Sequence, residues 1–460
     1  MTMDEKPATR NYPKTAYAWF VVVLMMCFYV LSYMDRFVIA VLIEPIKADL
    51  LLSDVQISLI GSFSFGLFYA TVGLFIGRLA DSMHRPWLIA MGVFIWSLTT
   101  ALSGLASKFW HLLVLRMGVG LGESALLPST LSLLTDYFPP KRLATPTSVF
   151  LFGAPIGIGV SYAAGGALFA VAQGITAADG WSEVLFIGGS AAWKLVLIFL
   201  GVVGMVMTLG MLAVREPRNN SVAALEKQAE RSLKAADAAP LPEVFAYASK
   251  NWLPIACLYL GMALISLAAY AQGFWDLTFL SRSFGLDTKT AGFSYGMVQL
   301  FGGLCGMFVG GMTADFLSRK GVQGSSYKLV TIGSAFAVPF SLIYPLMGSD
   351  VASLSWMVLA IFGSNMCFAG AAAAMQRMFP GTMLGLAAGF YFFMSNAIGL
   401  LVGPTAVAAI TDYGFGDPGQ VGYSLAIVGG SARLSAFVLF LLGLKAYVNL
   451  LREREAAAST

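Results

Sequence analysis

The sequence predicts an all-α polytopic membrane protein, in which twelve transmembrane helices form two pseudo-symmetric six-helix bundles. Three observations support this fold class. First, 58% of the 460 residues are hydrophobic and only 11% are charged, whereas soluble domains carry about 25% charged residues. Second, twelve apolar runs are long enough to cross the hydrocarbon core of a bilayer. Third, a polar stretch at 215–250 separates six runs from the other six, and one motif recurs in both halves.

We number the predicted spans 1 to 12 in chain order; they cover 16–44, 54–81, 86–107, 109–136, 143–172, 189–214, 251–281, 288–316, 327–347, 351–377, 383–411 and 421–450. The domain division that follows has a cytoplasmic amino-terminal tail at 1–15, a first bundle at 16–214, a cytoplasmic linker at 215–250, a second bundle at 251–451 and a cytoplasmic tail at 452–460. In the linker, Lys227 and Arg231 are four residues apart within 225–231, a spacing that predicts a surface helix.

The basic residues predict the orientation in the membrane. With both termini in the cytoplasm, the inside segments hold nineteen lysines and arginines and the outside loops about five. This asymmetry is the positive-inside pattern, and it predicts cytoplasmic termini. We expect the membrane to be a bacterial inner membrane. The net charge of +4 follows this topology, so we expect membrane lipids as surroundings and no nucleic-acid partner. We expect the protein to be a monomer.

The sequence lacks the patterns of enzyme chemistry. It has no phosphate-binding loop, and its two histidines and four cysteines are scattered. Its Gly-x-Ser-x-Gly match at 292–296 lies inside an apolar span and not at a strand-to-helix turn, so it is not a nucleophile elbow. We therefore expect no enzyme activity, no cofactor and no metal site.

A nine-residue motif recurs in the two halves. Gly77, Asp81 and Arg85 lie at the end of span 2, and Gly311, Asp315 and Arg319 lie at the end of span 8 at a constant offset of 234 residues. Parallel six-helix repeats of this kind are typical of two-bundle transporters, whose substrate cavity lies between the bundles.

Four charged residues lie inside two of the predicted spans. Asp35 and Arg36 are adjacent in span 1, whereas Arg116 and Glu123 are seven residues apart on one face of span 4. Each charge would cost roughly 2.5–3.5 kcal/mol in lipid, so the four must meet in a polar interior. Burial raises the pKa of a carboxylic acid and a neighbouring guanidinium lowers it, so rearranged partners can couple a proton to a conformational change.

We therefore predict Asp35 as the proton carrier, with Glu123 second. Arg36 or Arg116 would clamp an anionic head group. The alternative is a static ion-pair network that holds spans 1 and 4 together.

The motifs resemble those of a known family. The repeated Gly-x-x-x-Asp-x-x-x-Arg loop resembles the signature of the major facilitator superfamily. The segment 33–37, together with Arg116, 118–124 and 135–139, is similar to the spinster-like lipid transporters, bacterial type. A branch of organic-anion permeases shares much of the pattern in spans 1 and 4. The first loop departs from the usual signature at Ser82 and His84, which weakens the expected gate.

The resemblance implies the function. We expect a proton-coupled secondary transporter that works by alternating access and moves an amphipathic anion, such as a lysolipid or a sphingolipid-type molecule. One alternative is a permease for a small organic acid, such as a sugar acid or aromatic carboxylate. Another is a receptor or scaffold that does not transport.

Further residues are assigned to gates and to the cavity wall. Asp81 would accept backbone N–H groups, and Arg85 would pair with Asp136, so that the cluster shuts the cytoplasmic side when the outside is open and breaks in the opposite state. Asp315 and Arg319 are their counterparts in the second half. Tyr33 and Tyr162 would line the substrate cavity. Asp276 in span 7 and Arg433 in span 12 would snorkel outward or serve an outer gate.

Overall fold

The computed structural model describes residues 12–139, 142–177, 192–217 and 239–459, and for residues 74, 77, 78, 80–82 and 457–459 it describes the backbone alone. Within these ranges twelve helices are long and apolar enough to cross a membrane. Spans 1 to 6 consist of the helices Thr15–Val41; Asp54–Ser58, Leu59–Phe63 and Ser64–Ser82; Arg85–Ser103; Phe109–Glu123 and Leu126–Tyr137; Ala144–Leu151 and Gly153–Ala177; and Ala192–Thr208 with Leu209–Ala213.

Spans 7 to 12 consist of Trp252–Phe284; Thr288–Arg319; Ser325–Ile343 with Tyr344–Leu346; Asp350–Met378; Leu384–Ala409 with Ile410–Phe415; and Val421–Leu425, Ala426–Gly430 and Ser431–Ser459. Shorter helices at Ile43–Leu50, Pro418–Gln420 and Leu241–Lys250 lie outside the spans. The described part of the chain contains no β-strand. We call the side of the membrane on which span 1 begins and span 12 ends the near side, and the other the far side.

Prolines set the breaks in spans 4 and 5. A proline in a helix removes one N–H donor, and its ring clashes with the carbonyl four residues earlier. In span 4 the residue four before Pro128 is Ser124, and the helix is interrupted there, directly after Glu123. In span 5 the corresponding residue for Pro155 is Leu151, where the first helical segment ends. The break in span 4 therefore places Glu123 at a helix end inside the membrane.

Each half packs mainly against itself, and the two halves meet along a few pairs of spans. Spans 1 and 5, 3 and 6, and 2 and 4 pack together in the first half, as do 7 and 11, 9 and 10, and 8 and 10 in the second. Across the halves, span 5 packs on span 8, span 2 on span 11 and span 1 on span 7.

Glycines allow span 5 to approach span 8 closely. A Cβ on Gly296 would lie 2.6 Å from the carbonyl oxygen of Gly159, and one on Gly292 would lie 2.5 Å from that of Tyr162. Both distances are too short for any side chain, so this crossing depends on small residues, as is common between membrane helices.

The halves meet toward the far side. Among the described residues, every hydrogen bond and ion pair that joins the halves lies in the far-side half of the membrane. Toward the near side, a Cβ added at Gly311, Gly385 or Gly389 would meet no atom within 4 Å. The described molecule is thus closed on the far side.

The linker contains one described helix, Leu241–Lys250, whose side chains are mostly exposed. The predicted surface helix at 225–231 lies outside the described residues.

Candidate functional site

An ion pair joins spans 1 and 4 in the interior of the first half. Arg36 Nη2 donates to Glu123 Oε2 at 2.8 Å, and the hydroxyl of Ser32 donates to the same oxygen at 2.8 Å. Both members of the pair are buried, with side-chain exposures of 5% and 0%. Ser32 and Arg36 are four residues apart and share a helix face, which explains why both reach one carboxylate. The other oxygen, Glu123 Oε1, has no hydrogen-bond partner among the described residues.

Aromatic rings surround the guanidinium of Arg36. Its central carbon lies 4.8 Å from the ring centre of Tyr33, 4.6 Å from that of Phe65 and 4.7 Å from that of Tyr69. These are cation–π distances, and such contacts contribute up to about 2 kcal/mol when desolvated. Tyr270 of span 7 also interacts electrostatically with Arg36, so the second half reaches the site.

Asp35 and Arg116 lie beside this pair without pairing with each other's charged atoms. Arg116 Nη1 donates to the backbone carbonyl of Asp35 at 3.0 Å, while its Nε and Nη2 have no partner among the described residues. The carboxylate of Asp35 is fully buried, and neither oxygen accepts a hydrogen bond from a described group. Thr100 of span 3 is a neighbour whose hydroxyl is likewise unpartnered. A buried carboxylate, two guanidinium nitrogens and a hydroxyl that lack hydrogen-bond partners among the described residues form a site that can take up a proton or bind a polar group.

The sequence-predicted residues are therefore brought together in part. Asp35, Arg36, Arg116 and Glu123 form one buried cluster, and Tyr33 covers its cation. Tyr162 lies elsewhere. It is fully buried between the halves, and its hydroxyl donates to the backbone carbonyl of Gly273 in span 7.

The near-side motif forms an ion-pair cluster within the first half. Arg85 Nη1 lies 2.6 Å from Asp136 Oδ2, as expected, and Arg85 also donates to Glu216 through its guanidinium and, at 2.9 Å, through its backbone N–H. Arg85 is fully buried. The cluster joins the near-side ends of spans 3, 4 and 6 within the first half, and it is intact while the far side is closed. The expectation that it breaks in this state is therefore wrong for the Arg85–Asp136 pair. Glu216 was not predicted, although it is the acidic residue at the near-side end of span 6.

The rest of the motif is described less fully. Gly77 and Asp81 belong to the helix Ser64–Ser82, but their side chains lie outside the described part of the structure. In the second half, Asp315 and Arg319 are exposed, and neither makes an ion pair with a described residue. The loop between spans 2 and 3 has two residues, and Arg85 is the first residue of span 3. The loop between spans 8 and 9 has five residues, 320–324, and Arg319 is the last residue of span 8, so it is not packed against a neighbouring helix.

A far-side ion-pair cluster links the two halves and was not predicted. Arg282, at the end of span 7, donates to both carboxylate oxygens of Asp54, at 2.7 and 2.8 Å. Arg282 also donates to Glu44 at 2.9 Å. Lys47, which lies in the first half with Asp54, contacts the carboxylate of Asp54 as well. The side chain of Arg282 is 9% exposed and that of Asp54 is fully buried. We call Arg282, Asp54 and Glu44 the far-side lock.

Two backbone contacts reinforce the closed far side. Asp412 at the end of span 11 accepts the N–H of Val55 at 2.8 Å, which satisfies a free donor in the first turn of span 2. The hydroxyl of Ser62 donates to the carbonyl of Leu400, which is free because Pro404, four residues later, has no N–H.

The buried charges of the second half do not snorkel, so that expectation is wrong. Asp276 and Arg433 are both fully buried. They lie among the spans of the second half, where Tyr344 donates to Asp276 and Arg433 donates to Gln272 and Ser364.

Known proteins resemble the chain over most of its length. The sequence model of the Major Facilitator Superfamily matches residues 25–404. An "MFS-type efflux pump" of Mycolicibacterium smegmatis is 27% identical over 417 residues, covering 89% of this chain and 88% of the relative. The Escherichia coli protein named "Probable L-galactonate transporter" is 27% identical, covering 72% of this chain and 70% of the relative. "Protein spinster homolog 1" of Xenopus tropicalis is 30% identical, covering 65% of this chain and 52% of that longer protein.

A solved structure shares the fold. It is the crystal structure of a bacterial homolog to the human lysosomal transporter Spinster, in an inward-facing and unoccupied conformation. The TM-score is 0.76 at 24% identity, and the match covers 96% of this chain and 98% of the other. The fold with two six-helix bundles, expected from the sequence, is thereby confirmed.

Proposed function

The chain belongs to the Major Facilitator Superfamily, and from that membership we propose that it is a proton-coupled secondary active transporter working by alternating access. The family and the fold are those of transporters, which are not enzymes. One observation carries the proposal of proton coupling: a fully buried Asp35 carboxylate without a hydrogen-bond partner among the described residues lies beside the Arg36–Glu123 ion pair.

Competition for Arg36 links the substrate to the proton. An anionic substrate group that takes Nη2 of Arg36 displaces Glu123, which then keeps only the hydroxyl of Ser32 as a described partner. A buried carboxylate without its cation is strongly destabilised, and taking up a proton removes that penalty. Asp35 is the proposed carrier, because it has no cation within ion-pair distance among the described residues and can pass its proton on without breaking a salt bridge. Glu123 is the second protonation site.

An amphipathic anion, such as a lysolipid or a sphingolipid-type molecule, is the proposed substrate class. The aromatic rings of Tyr33, Phe65 and Tyr69 around Arg36 offer apolar surface next to a cation, which suits a charged head group that carries an apolar tail. The similarity to the spinster proteins supports this class.

A small organic acid is the second candidate, taken up together with protons. The similarity to an E. coli protein named for L-galactonate favours it. A hydroxylated acid would bind Arg36 through its carboxylate and would use the amide of Asn396, which Tyr270 contacts at 3.0 Å.

We place both termini in the cytoplasm on the strength of the positive-inside pattern. The bacterial relatives favour the inner membrane of a bacterium, and we propose that the protein is a monomer there. The near side is then the cytoplasm, and the closed far side makes this conformation inward-facing. Gly77, Asp81, Asp315 and Arg319 remain the proposed residues of the cytoplasmic gate, whereas the Arg85–Asp136 pair holds the near-side ends of spans 3 and 4 together in this inward-facing conformation.

Flux into proteoliposomes tests this function. The purified protein is reconstituted, a pH gradient is imposed, and radiolabelled lysophosphatidylglycerol or L-galactonate is supplied. We expect one of the two compounds to enter the proteoliposomes in response to the gradient, together with a flux of protons. An excess of the same unlabelled compound should reduce the uptake of the radiolabelled one. Gradient-driven movement of L-galactonate alone would replace the lipid proposal by the organic-acid one. If neither moves, and Arg36→Gln still binds a ligand as the parent does, the protein is a receptor or scaffold.

A further inference from the structure

The second half contains a buried polar cluster that the proposed mechanism does not use. It is built on span 7, where Gln272 and Asp276 are four residues apart and share a face. Both are buried, as is Arg433 of span 12. The same region of span 7 carries Gly273, whose carbonyl accepts the hydroxyl of Tyr162 from the first half. The cluster thus lies directly behind the contact between the halves.

The carboxyl group of Asp276 has one hydrogen-bond donor and one free oxygen. The hydroxyl of Tyr344 donates to Oδ1 at 2.6 Å, and Oδ2 has no partner among the described residues. Because Tyr344 occupies Oδ1 as a donor, a proton bound to this group would lie on Oδ2. The geometry is that of a carboxylic acid, whose carbonyl oxygen accepts and whose hydroxyl oxygen remains free.

No described cation neutralises Asp276 at ion-pair distance. Arg433 is directed elsewhere: it donates to the amide oxygen of Gln272, to Ser364 at 3.0 Å and to the backbone carbonyl of Gly429 at 3.4 Å. An ionised carboxylate in such surroundings is destabilised by the loss of water, and a single hydrogen bond does not offset that loss.

The groups that face Asp276 come from four other elements. They are Tyr344 at the end of span 9, Tyr295 of span 8, Tyr162 of span 5 and Arg433 of span 12. The rings of Tyr162 and Tyr295 meet edge to face, with centres 4.7 Å apart. Tyr162 belongs to the first half and Tyr295 to the second, so this ring pair crosses the contact between the halves, and separation of the halves on the far side opens it to water.

We propose that Asp276 is a further protonation site, located in the second half, which is protonated when the far side is closed and releases its proton to far-side water when the halves separate there. The step forms a carboxylate at Asp276 and a hydrated proton, and the charge of Arg433 then compensates the new anion through Gln272, whose Nε2 is unpartnered among the described residues. The inference rests on the proposed proton coupling and adds a second carrier to it.

Infrared difference spectroscopy on the full chain in phosphatidylcholine and phosphatidylglycerol vesicles tests the site. The pH of the bathing buffer is switched between acidic and alkaline values, and the carbonyl-stretch bands of protonated carboxylic acids are recorded. We expect Asp276→Asn to remove one band that Asp35→Asn and the exposed-loop control Asp417→Asn leave in place. Tyr344→Phe keeps the acid but removes its hydrogen bond, so the same band moves to higher frequency. A parent-like spectrum in Asp276→Asn overturns the proposal; if that variant does not fold, an unmoved band in Tyr344→Phe does so.

A second measurement tests the link to far-side opening. Arg282→Gln weakens the far-side lock, so at fixed pH the amplitude of the Asp276 band falls. An unchanged amplitude in a variant whose far side has opened overturns the link. The spectroscopy needs no substrate, so its outcome is independent of the flux experiment. Failure of flux with both lysophosphatidylglycerol and L-galactonate counts against the proposed function alone.

Discussion

Loss of Arg282 should open the far side. Arg282→Gln removes the two bonds to Asp54 and the contact with Glu44, which join the halves while the far side is closed. Truncating one partner of a buried, hydrogen-bonded charge pair costs about 2–5 kcal/mol. Lys47 remains on Asp54, and the side chain of Glu44 is 48% exposed, so we take the lower end. A loss of about 2 kcal/mol corresponds to a change of roughly 30-fold in the ratio of closed to open molecules.

Double electron–electron resonance measures this ratio. Spin labels are placed at Leu105 and Tyr413, which are 60% and 79% exposed and lie on the far side of different halves. The background carries Cys27→Ser and Cys305→Ser, because the two remaining cysteines are buried. We expect a longer distance to gain population in Arg282→Gln. Lys289→Gln is the matched control: it removes one exposed positive charge on the same side, where the structure describes no ion pair for that lysine.

The refuting result is specific. If Arg282→Gln and Lys289→Gln give the same distance distribution as the parent, the far-side lock does not hold the halves together. A double-mutant cycle with Asp54→Asn should show a coupling energy between Arg282 and Asp54, because either substitution breaks the same ion pair.

Three further predictions follow from other contacts. Gly292→Ala should open the far side in the same spin-label experiment, because its Cβ would lie 2.5 Å from the carbonyl oxygen of Tyr162; an unchanged distribution would mean that the crossing can adjust. Arg85→Gln should destabilise the protein by about 3–5 kcal/mol because it removes the buried cation with which Asp136 and Glu216 pair, whereas Arg319→Gln, its exposed counterpart, should stay within about 0.5 kcal/mol; thermal unfolding in detergent compares the two, and equal melting temperatures would contradict the assignment. Arg36→Lys should weaken substrate affinity while the fold is kept, because an ammonium cannot match the planar contacts with three rings; unchanged competition binding would place the substrate elsewhere.

Much of the fold was predictable because the membrane imposes it. Apolar runs must be helices there, and the repeat at an offset of 234 residues predicted two related halves. The seven-residue spacing of Arg116 and Glu123 also placed them correctly on one face. The pairing of Glu123 with Arg36 rather than of Asp35 with Arg116 was not predictable, because it depends on the break before Pro128 and on which carboxylate oxygen faces span 1.

The far-side lock was not predictable for a different reason. Arg282 and Asp54 are 228 residues apart, and their contact depends on how the two halves dock. The sequence gives each residue only as a charge near a membrane surface. Likewise, Arg85 and Arg319 share a motif but differ in burial, because the loop between spans 8 and 9 is longer. The repeated motif therefore predicts which residue types recur, whereas the length of the loop determines which residues they contact.

The most direct test of the account compares two kinds of flux in Asp35→Asn. In proteoliposomes that hold the transported compound on both sides, exchange requires no net proton movement, whereas accumulation driven by a pH gradient does. If Asp35 carries the proton, Asp35→Asn should keep exchange and lose gradient-driven accumulation, while Asp417→Asn behaves as the parent in both. Equal, pH-sensitive accumulation in Asp35→Asn and the parent would contradict the central claim.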